Sequence, residues 1–185
     1  IRRQVQALRE AGKPVVASMS SLAASGGYYI AMDADRIVAS PATLTGSIGV
    51  FAMVPTIERS LERLGVRTDG VGTTALSGDL RLDRPMGDAS KDLLQQGVQH
   101  AYDDFIARVA KARKRPVEAI DAVAQGRVWA GADAKRVGLV DELGGTAAAI
   151  KAAAKLAKLG DDFEVEYLDP GVSLGDALGL RIRVA

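Results

Sequence analysis

Residues 18–34 read SMSSLAASGGYYIAMDA and set Ser25 between Ala23–Ala24 and Gly26–Gly27, neighbours too small to shield a hydroxyl. The apolar run PVVASM (14–19) leads in, and SGGYYIAMDA (25–34) leads out as a helix with Tyr28, Tyr29, Ile30 and Met32 crowding one broad side. Two readings compete. Paired glycines punctuate tight strand-to-helix turns, and a turn alone would explain the small residues. Alternatively, something must approach Ser25 closely.

Outward from this stretch, strands and helices alternate. IRRQVQALREAG (1–12) reads as an amphipathic helix with Ile1, Val5 and Leu8 on one side and Gly12 at its end. It begins with neither a cap nor a starting methionine, and not as a signal peptide. The sequence is therefore expected to be a piece of a longer chain. KPVVASMS, RIVAS, GSIGVFAMV and VRTDGVG read as strands, and PTIERSLERLG as a helix with proline at its first turn and glycine at its end. From Asp88 to about Arg115, Leu94, Val98, Ala101, Phe105 and Val109 recur at three- and four-residue steps, a long helix with Asp88 or Ser90 as its cap. PVEAIDAVAQG is a shorter helix, GRVWAGADAKRVGLVDELGG a dense turn unit, TAAAIKAAAKLAKLG a helix of small residues suited to close packing, and FEVEYL a final strand. Trp129 reads as a core or interface anchor. The pattern argues for an α/β fold with helices covering a sheet.

Composition narrows the chemistry. The 185 residues suit one domain, and at this size roughly 70% of the unfolded surface can be buried. Hydrophobic residues make up 48% and the net charge is +1, with the charges interspersed, so there is no electrostatic footprint for nucleic acid. No apolar stretch approaches the ~20 residues of a spanning helix. Cysteine is absent, which removes disulfides, thiolate nucleophiles and Cys-based metal sites. With one histidine and no clustered acidic loop, no metal site is expected, nor any cofactor.

A serine needs a base to take its proton. The single histidine, His100, lies within the long helix among polar neighbours and reads as a surface residue, which leaves a Ser-His-Asp triad poorly supported. A neutral lysine amine is the other option. However, Lys91, Lys111, Lys114, Lys135, Lys151, Lys155 and Lys158 fall on solvated helix faces, and Lys13 on a turn. Ser25 lacks a partner within this chain.

GKPVVASMSSLAASGGYYIAMDADRIVASPATLTGSIGVF (12–51) resembles the nucleophile region of the signal peptide peptidase A family, also called protease IV, a bacterial Ser-Lys peptidase family. AASGGYYIA and TLTGSIGV, in that order and spacing, carry the resemblance. QGRVWAGADAKRVGLVDELGG is similar to a unit these peptidases share with the Clp protease fold. The resemblance covers about residues 1–168, with 169–185 a tail, and implies a Clp protease/crotonase-like spiral of β-β-α units. It implies Ser25 as nucleophile, Ser47 as the residue orienting the lysine, and the Gly26 N–H as one oxyanion donor. Gly26 and Gly27 would let an extended peptide lie beside Ser25, and Gly49, Val50 and Phe51 would line a pocket. Read without the resemblance, Gly46 and Gly49 could simply mark a bulge.

In short family members the lysine follows in the same chain, in a segment similar to LSGDLRLDRPM. Here that segment carries Arg81, which stays protonated and cannot act as a base. The departure fits the long two-half members, with this chain as the C-terminal half and the lysine supplied by the N-terminal half. The resemblance further implies peptide substrates such as cleaved signal peptides, a homo-oligomeric ring or bowl, and a bacterial inner-membrane location with the catalytic part on the extracytoplasmic side. The fragment alone is expected to be inactive. Two other readings stand beside it: a crotonase-like acyl-CoA enzyme, which would need carboxylates such as Asp33 or Asp35 near the oxyanion donors, and a noncatalytic assembly half with a vestigial Ser25.

Overall fold

The computed structural model describes residues 1–74, 76–160 and 162–168. In chain order the elements are α1 (Arg2–Glu10), β1 (Val16–Met19), β2 (Leu22–Ala24), α2 (Gly26–Ala31), β3 (Arg36–Ala39), β4 (Leu44–Gly46) and α3 (Glu58–Arg63). Then come α4 (Asp88–Arg113), α5 (Val117–Asp121), β5 (Val128–Ala130), α6 (Gly131–Arg136), β6 (Glu142–Leu143) and α7 (Thr146–Leu156). The strands form two small sheets. One is parallel, ordered β1-β3-β6, with Val16 opposite Arg36 and Val38 opposite Glu142. The other is mixed, ordered β2-β4-β5, with Leu22 opposite Leu44 in parallel and Gly46 opposite Val128 in antiparallel register. Each of the first two strand pairs places its first strand in one sheet and its second in the other. The chain thus steps along both sheets together, the α/β spiral of strand-strand-helix units that the family resemblance implies.

The core lies where α2, α4 and α5 close over the strands. Tyr28, Met32, Ile37, Ile48, Val109, Ile120 and Leu139 are fully buried within it. Buried polar groups there find partners, as burial requires. The Tyr28 hydroxyl donates to the Leu139 carbonyl at 2.9 Å. Arg113 donates to both oxygens of Asp141, at 2.6 and 3.1 Å, and to the Gly138 carbonyl, while Asp141 also accepts from the Ile37 N–H. These contacts fasten the C-terminal end of α4 to β3 and the segment before β6. Gly131 opens α6 so close to β3 that a Cβ there would sit 2.0 Å from the Ser40 carbonyl oxygen.

Several elements differ from the sequence reading. The strand read over GSIGVFAMV ends at Gly46, because Gly46 and Ser47 both take positive φ (73° and 48°) and turn the chain out of the sheet. Residues 66–72 and 163–168 form no strand. β2, β5 and β6 are too short to show period-2 alternation, and the sequence had folded the last two into a turn unit. The cap of α4 is Gly87, with Asp88 its first residue and Ser90 buried in the first turn. The N-cap of α3 is Ile57, so Pro55 precedes that helix. α1 buries none of its residues, and Leu8 and Ile1 are exposed. Ion pairs fix it instead, Arg2 to Asp33 and Arg9 to Asp35, both at 2.7 Å, with the Arg2 guanidinium over the Tyr29 ring. The tail read over 169–185 lies outside the described residues.

Candidate active site

Ser25 stands between β2 and α2 as the N-cap of the helix, with φ 51° and ψ −113°. For a residue with a Cβ, such a sparsely populated conformation costs about 1–3 kcal/mol and persists only where the surroundings over-determine it. They do so here: the Ser25 N–H donates to the Gly46 carbonyl and its own carbonyl accepts from the Tyr29 N–H, both at 2.8 Å. The hydroxyl is left exposed at the head of α2. There the first N–H groups, Gly26 and Gly27, have no intrahelical acceptor.

Ser47 also holds a positive φ (48°), and its N–H donates to the Arg127 carbonyl at 2.7 Å. Gly46 cannot be larger: besides its φ of 73°, a Cβ would lie 2.7 Å from Cδ1 of Trp129. That indole packs against the core and donates to the Val123 carbonyl. Gly49 is needed for a close approach, since its Cβ would meet the Gly126 backbone at 2.8 Å.

Ser25, Gly26, Ser47, Gly49, Val50 and Phe51 line one open cavity of about 1070 Å³. Gly27 does not. It turns inward, and a Cβ there would make ordinary 3.7 Å contact with Ala23. The opposite wall comes from residues the sequence reading did not place at the site: Tyr29, Tyr102, Asp104, Gln125 and Gly126. The helical period of α4 offered a signal for that helix's share of the wall and none for Gln125 or Gly126. Val98, Ala101 and Phe105 belong to the apolar stripe of α4, and all three border the cavity, while Val109 on the same stripe lies in the core. Tyr29 meets Phe105 edge to face at 5.1 Å.

No basic side chain of this chain borders the cavity among the described residues. Every lysine is exposed and none lines it; neither does His100. Arg81 lies elsewhere, its guanidinium engaged by both oxygens of Asp83, and the hydrogen bond from Arg81 holds the Asp83 carboxyl at about 2. Among the described residues the one carboxylate at the cavity is Asp104, paired with Arg108 at 2.6 Å and held below the usual range chiefly by that hydrogen bond. Asp33 and Asp35 are committed to the α1 ion pairs.

Ser25 is thus held in a strained strand-to-helix turn, beside N–H groups that have no intrahelical acceptor. Residues 7–160 match the model of peptidase family S49, and the chain belongs to that family. It is 50% identical to Protease 4 of Salmonella typhi over 159 residues, which are 86% of this chain and 26% of that protein. It is 42% identical to Protease 4 of Haemophilus influenzae over 180 residues, 94% of this chain and 29% of that protein. Identity to the chloroplastic serine protease SPPA of Arabidopsis thaliana is 40% over 95% of this chain and 26% of that protein. The chain thus spans little more than a quarter of the length of these relatives. Among solved structures, an enoyl-CoA hydratase/isomerase family protein from Hyphomonas neptunium aligns over 85% of this chain and 43% of its own, at 21% identity and a TM-score of 0.44.

Proposed function

We propose that this chain carries the nucleophile of a serine endopeptidase whose general base is a lysine amine delivered by another segment of the same protein. Ser25 Oγ would attack the scissile carbonyl while the neutral amine takes its proton, and the Gly26 N–H would stabilise the developing oxyanion at the head of α2. The same ammonium would then protonate the leaving amine, and water would hydrolyse the acyl-enzyme. Ser47, on the same cavity, would hold the lysine in line. The observation carrying this reading is the pairing of two strained serines, Ser25 and Ser47, at one cavity that has no lysine or histidine among the described residues lining it.

The substrates proposed are hydrophobic peptides, including cleaved signal peptides. An adjoining cavity of about 490 Å³, lined by Val50, Leu76, Leu80, Leu93, Leu94 and Val98, supports apolar side chains beside the scissile bond. Between Phe51 and Ala89 no described residue is buried, and Phe51, Met53, Leu64, Val71 and Leu80 stand exposed. This is a surface of the kind covered by another chain segment, and it favours assembly with the N-terminal half and with further copies. Among the described residues no helix is long and apolar enough to cross a membrane. The extracytoplasmic membrane location therefore rests on the family alone.

The test uses the full-length protein. A fluorophosphonate probe should label it at Ser25, and Ser25→Ala should remove both labelling and cleavage of a hydrophobic peptide. Residues 1–185 alone should cleave little. Undiminished cleavage by the Ser25→Ala protein would overturn the assignment.

A further inference from the structure

The turn that follows α5 is tied to α4 by side chains the peptidase reading does not use. Tyr102, on the cavity wall, donates its hydroxyl to Asp121 Oδ1, and the Tyr102 hydroxyl oxygen accepts the Gln125 N–H at 3.2 Å. Asp121 Oδ2 accepts from the Gln125 side-chain amide at 3.3 Å. Gln125 and Gly126 are consecutive left-handed residues, φ 56° and 73°, a conformation the chain does not hold without such ties. Arg127 adds another, from Nη1 to the Ala122 carbonyl at 2.6 Å.

From this turn two backbone hydrogen bonds reach the segment that carries Ser47. The Gly126 N–H donates to the Ile48 carbonyl at 2.9 Å, and the Arg127 carbonyl accepts the Ser47 N–H at 2.7 Å. The two backbones touch where Gly49 passes the turn: a Cβ on Gly49 would lie 2.8 Å from the Gly126 backbone. Ser47 is therefore gripped on both sides by the turn, and the turn by Tyr102 and Asp121.

We infer that Tyr102 and Asp121 are positioning residues for Ser47: through the Gln125–Gly126 turn they fix the angle at which the Ser47 hydroxyl meets the attacking machinery beside Ser25. This rests on the peptidase reading above. Burial first, and then the hydrogen bond to Asp121, push the Tyr102 hydroxyl up to about 12, so it remains a donor at every pH at which the protein would work. Displacements of the order of 1 Å at a catalytic group cost up to about a hundredfold in rate. Loss of one anchor, with the two backbone bonds kept, should cost less, about tenfold.

The experiment is steady-state peptide cleavage by the full-length protein with Tyr102→Phe, Asp121→Asn and the double variant. Tyr102→Phe keeps the ring and deletes only the hydroxyl. It is expected to lower kcat about tenfold with KM within twofold. Asp121→Asn should act the same way, and the double variant should be no worse than the more impaired single one, because both cut one connection. A fall in kcat with an unchanged melting temperature separates positioning from loss of fold. Wild-type kcat in both single variants overturns the inference, as does a change confined to KM, which would make Tyr102 a substrate contact. Ser25→Ala run alongside distinguishes the two levels: if it remains active, the peptidase reading itself fails, whereas an inactive Ser25→Ala beside a fully active Tyr102→Phe removes only the role of Tyr102.

Discussion

Asp141→Asn tests whether the buried pair with Arg113 holds α4 to the strands under the site. The substitution keeps the side chain's shape and removes its charge. Arg113 then loses one of its two bonds to the carboxylate and keeps a neutral one, while the Ile37 N–H still has an acceptor. A hydrogen bond to a charged group contributes about 1.5–3 kcal/mol, and breaking a buried ion pair costs about 3–5 kcal/mol. The Arg113 side chain is 11% exposed and that of Asp141 25%, so water relieves part of the loss. An expected cost of about 2–3 kcal/mol follows, equivalent to roughly 30- to 150-fold faster exchange if the opening is local. Hydrogen exchange of the β3 amides, Ile37 and Val38 above all, measured in the full-length protein, reads this directly.

The pH dependence has a definite sign. Burial opposes ionisation of Asp141, but the Arg113 hydrogen bonds and the Ile37 N–H outweigh it and bring the carboxyl below its usual value. The pair's contribution is thus fully present above the unfolded carboxyl's pKa of about 3.9. It is lost as pH falls through the lower folded value. Wild type and Asp141→Asn should therefore converge in acid and differ by a constant amount between pH 5 and 8. Less than a threefold change in β3 exchange for Asp141→Asn would refute the reasoning, and so would a difference that grows as pH falls.

Two further outcomes are expected. Gly46→Ala combines a positive φ with contact against Trp129; the φ costs about 1–2 kcal/mol and the overpacking about 1–3 kcal/mol more. Its melting temperature should fall well below that of Gly12→Ala, where φ is 74° but nothing lies within 4 Å of the new methyl, and Ser25 labelling should slow because the Gly46 carbonyl anchors Ser25. Arg2→Ala removes a partly buried ion pair and the guanidinium over Tyr29; a loss of about 1–2 kcal/mol should appear as faster exchange confined to α1 and the C-terminal end of α2.

What could be read without coordinates was whatever depends on neighbours along the chain. Ser25 stands out because Ala23, Ala24, Gly26 and Gly27 surround it in sequence, and the turn they permit is the one found. The body of α4 follows from its own 3.6-residue period, and Gly12 and Gly65 mark helix ends by their positive φ. The strand over residues 46–54 was misplaced because a glycine that interrupts a strand and one that lies within it look alike in sequence. Residues 66–72 and 163–168 have strand-like composition but no partner strand among the described residues, and pairing is not a local property.

Sequence alone determined the α/β alternation and singled out Ser25 by its small neighbours, since both rest on residue identity and short-range periodicity; the catalytic reading of Ser25 came from the family resemblance. Tertiary structure alone decided which face of α4 turns to the cavity, that Tyr29, Tyr102 and Gln125 share it with Ser25, and that Ser47 is gripped by a turn nearly eighty residues further on. Those facts are set by hydrogen bonds and close backbone contacts between distant segments, whose energies leave no periodic trace along the chain.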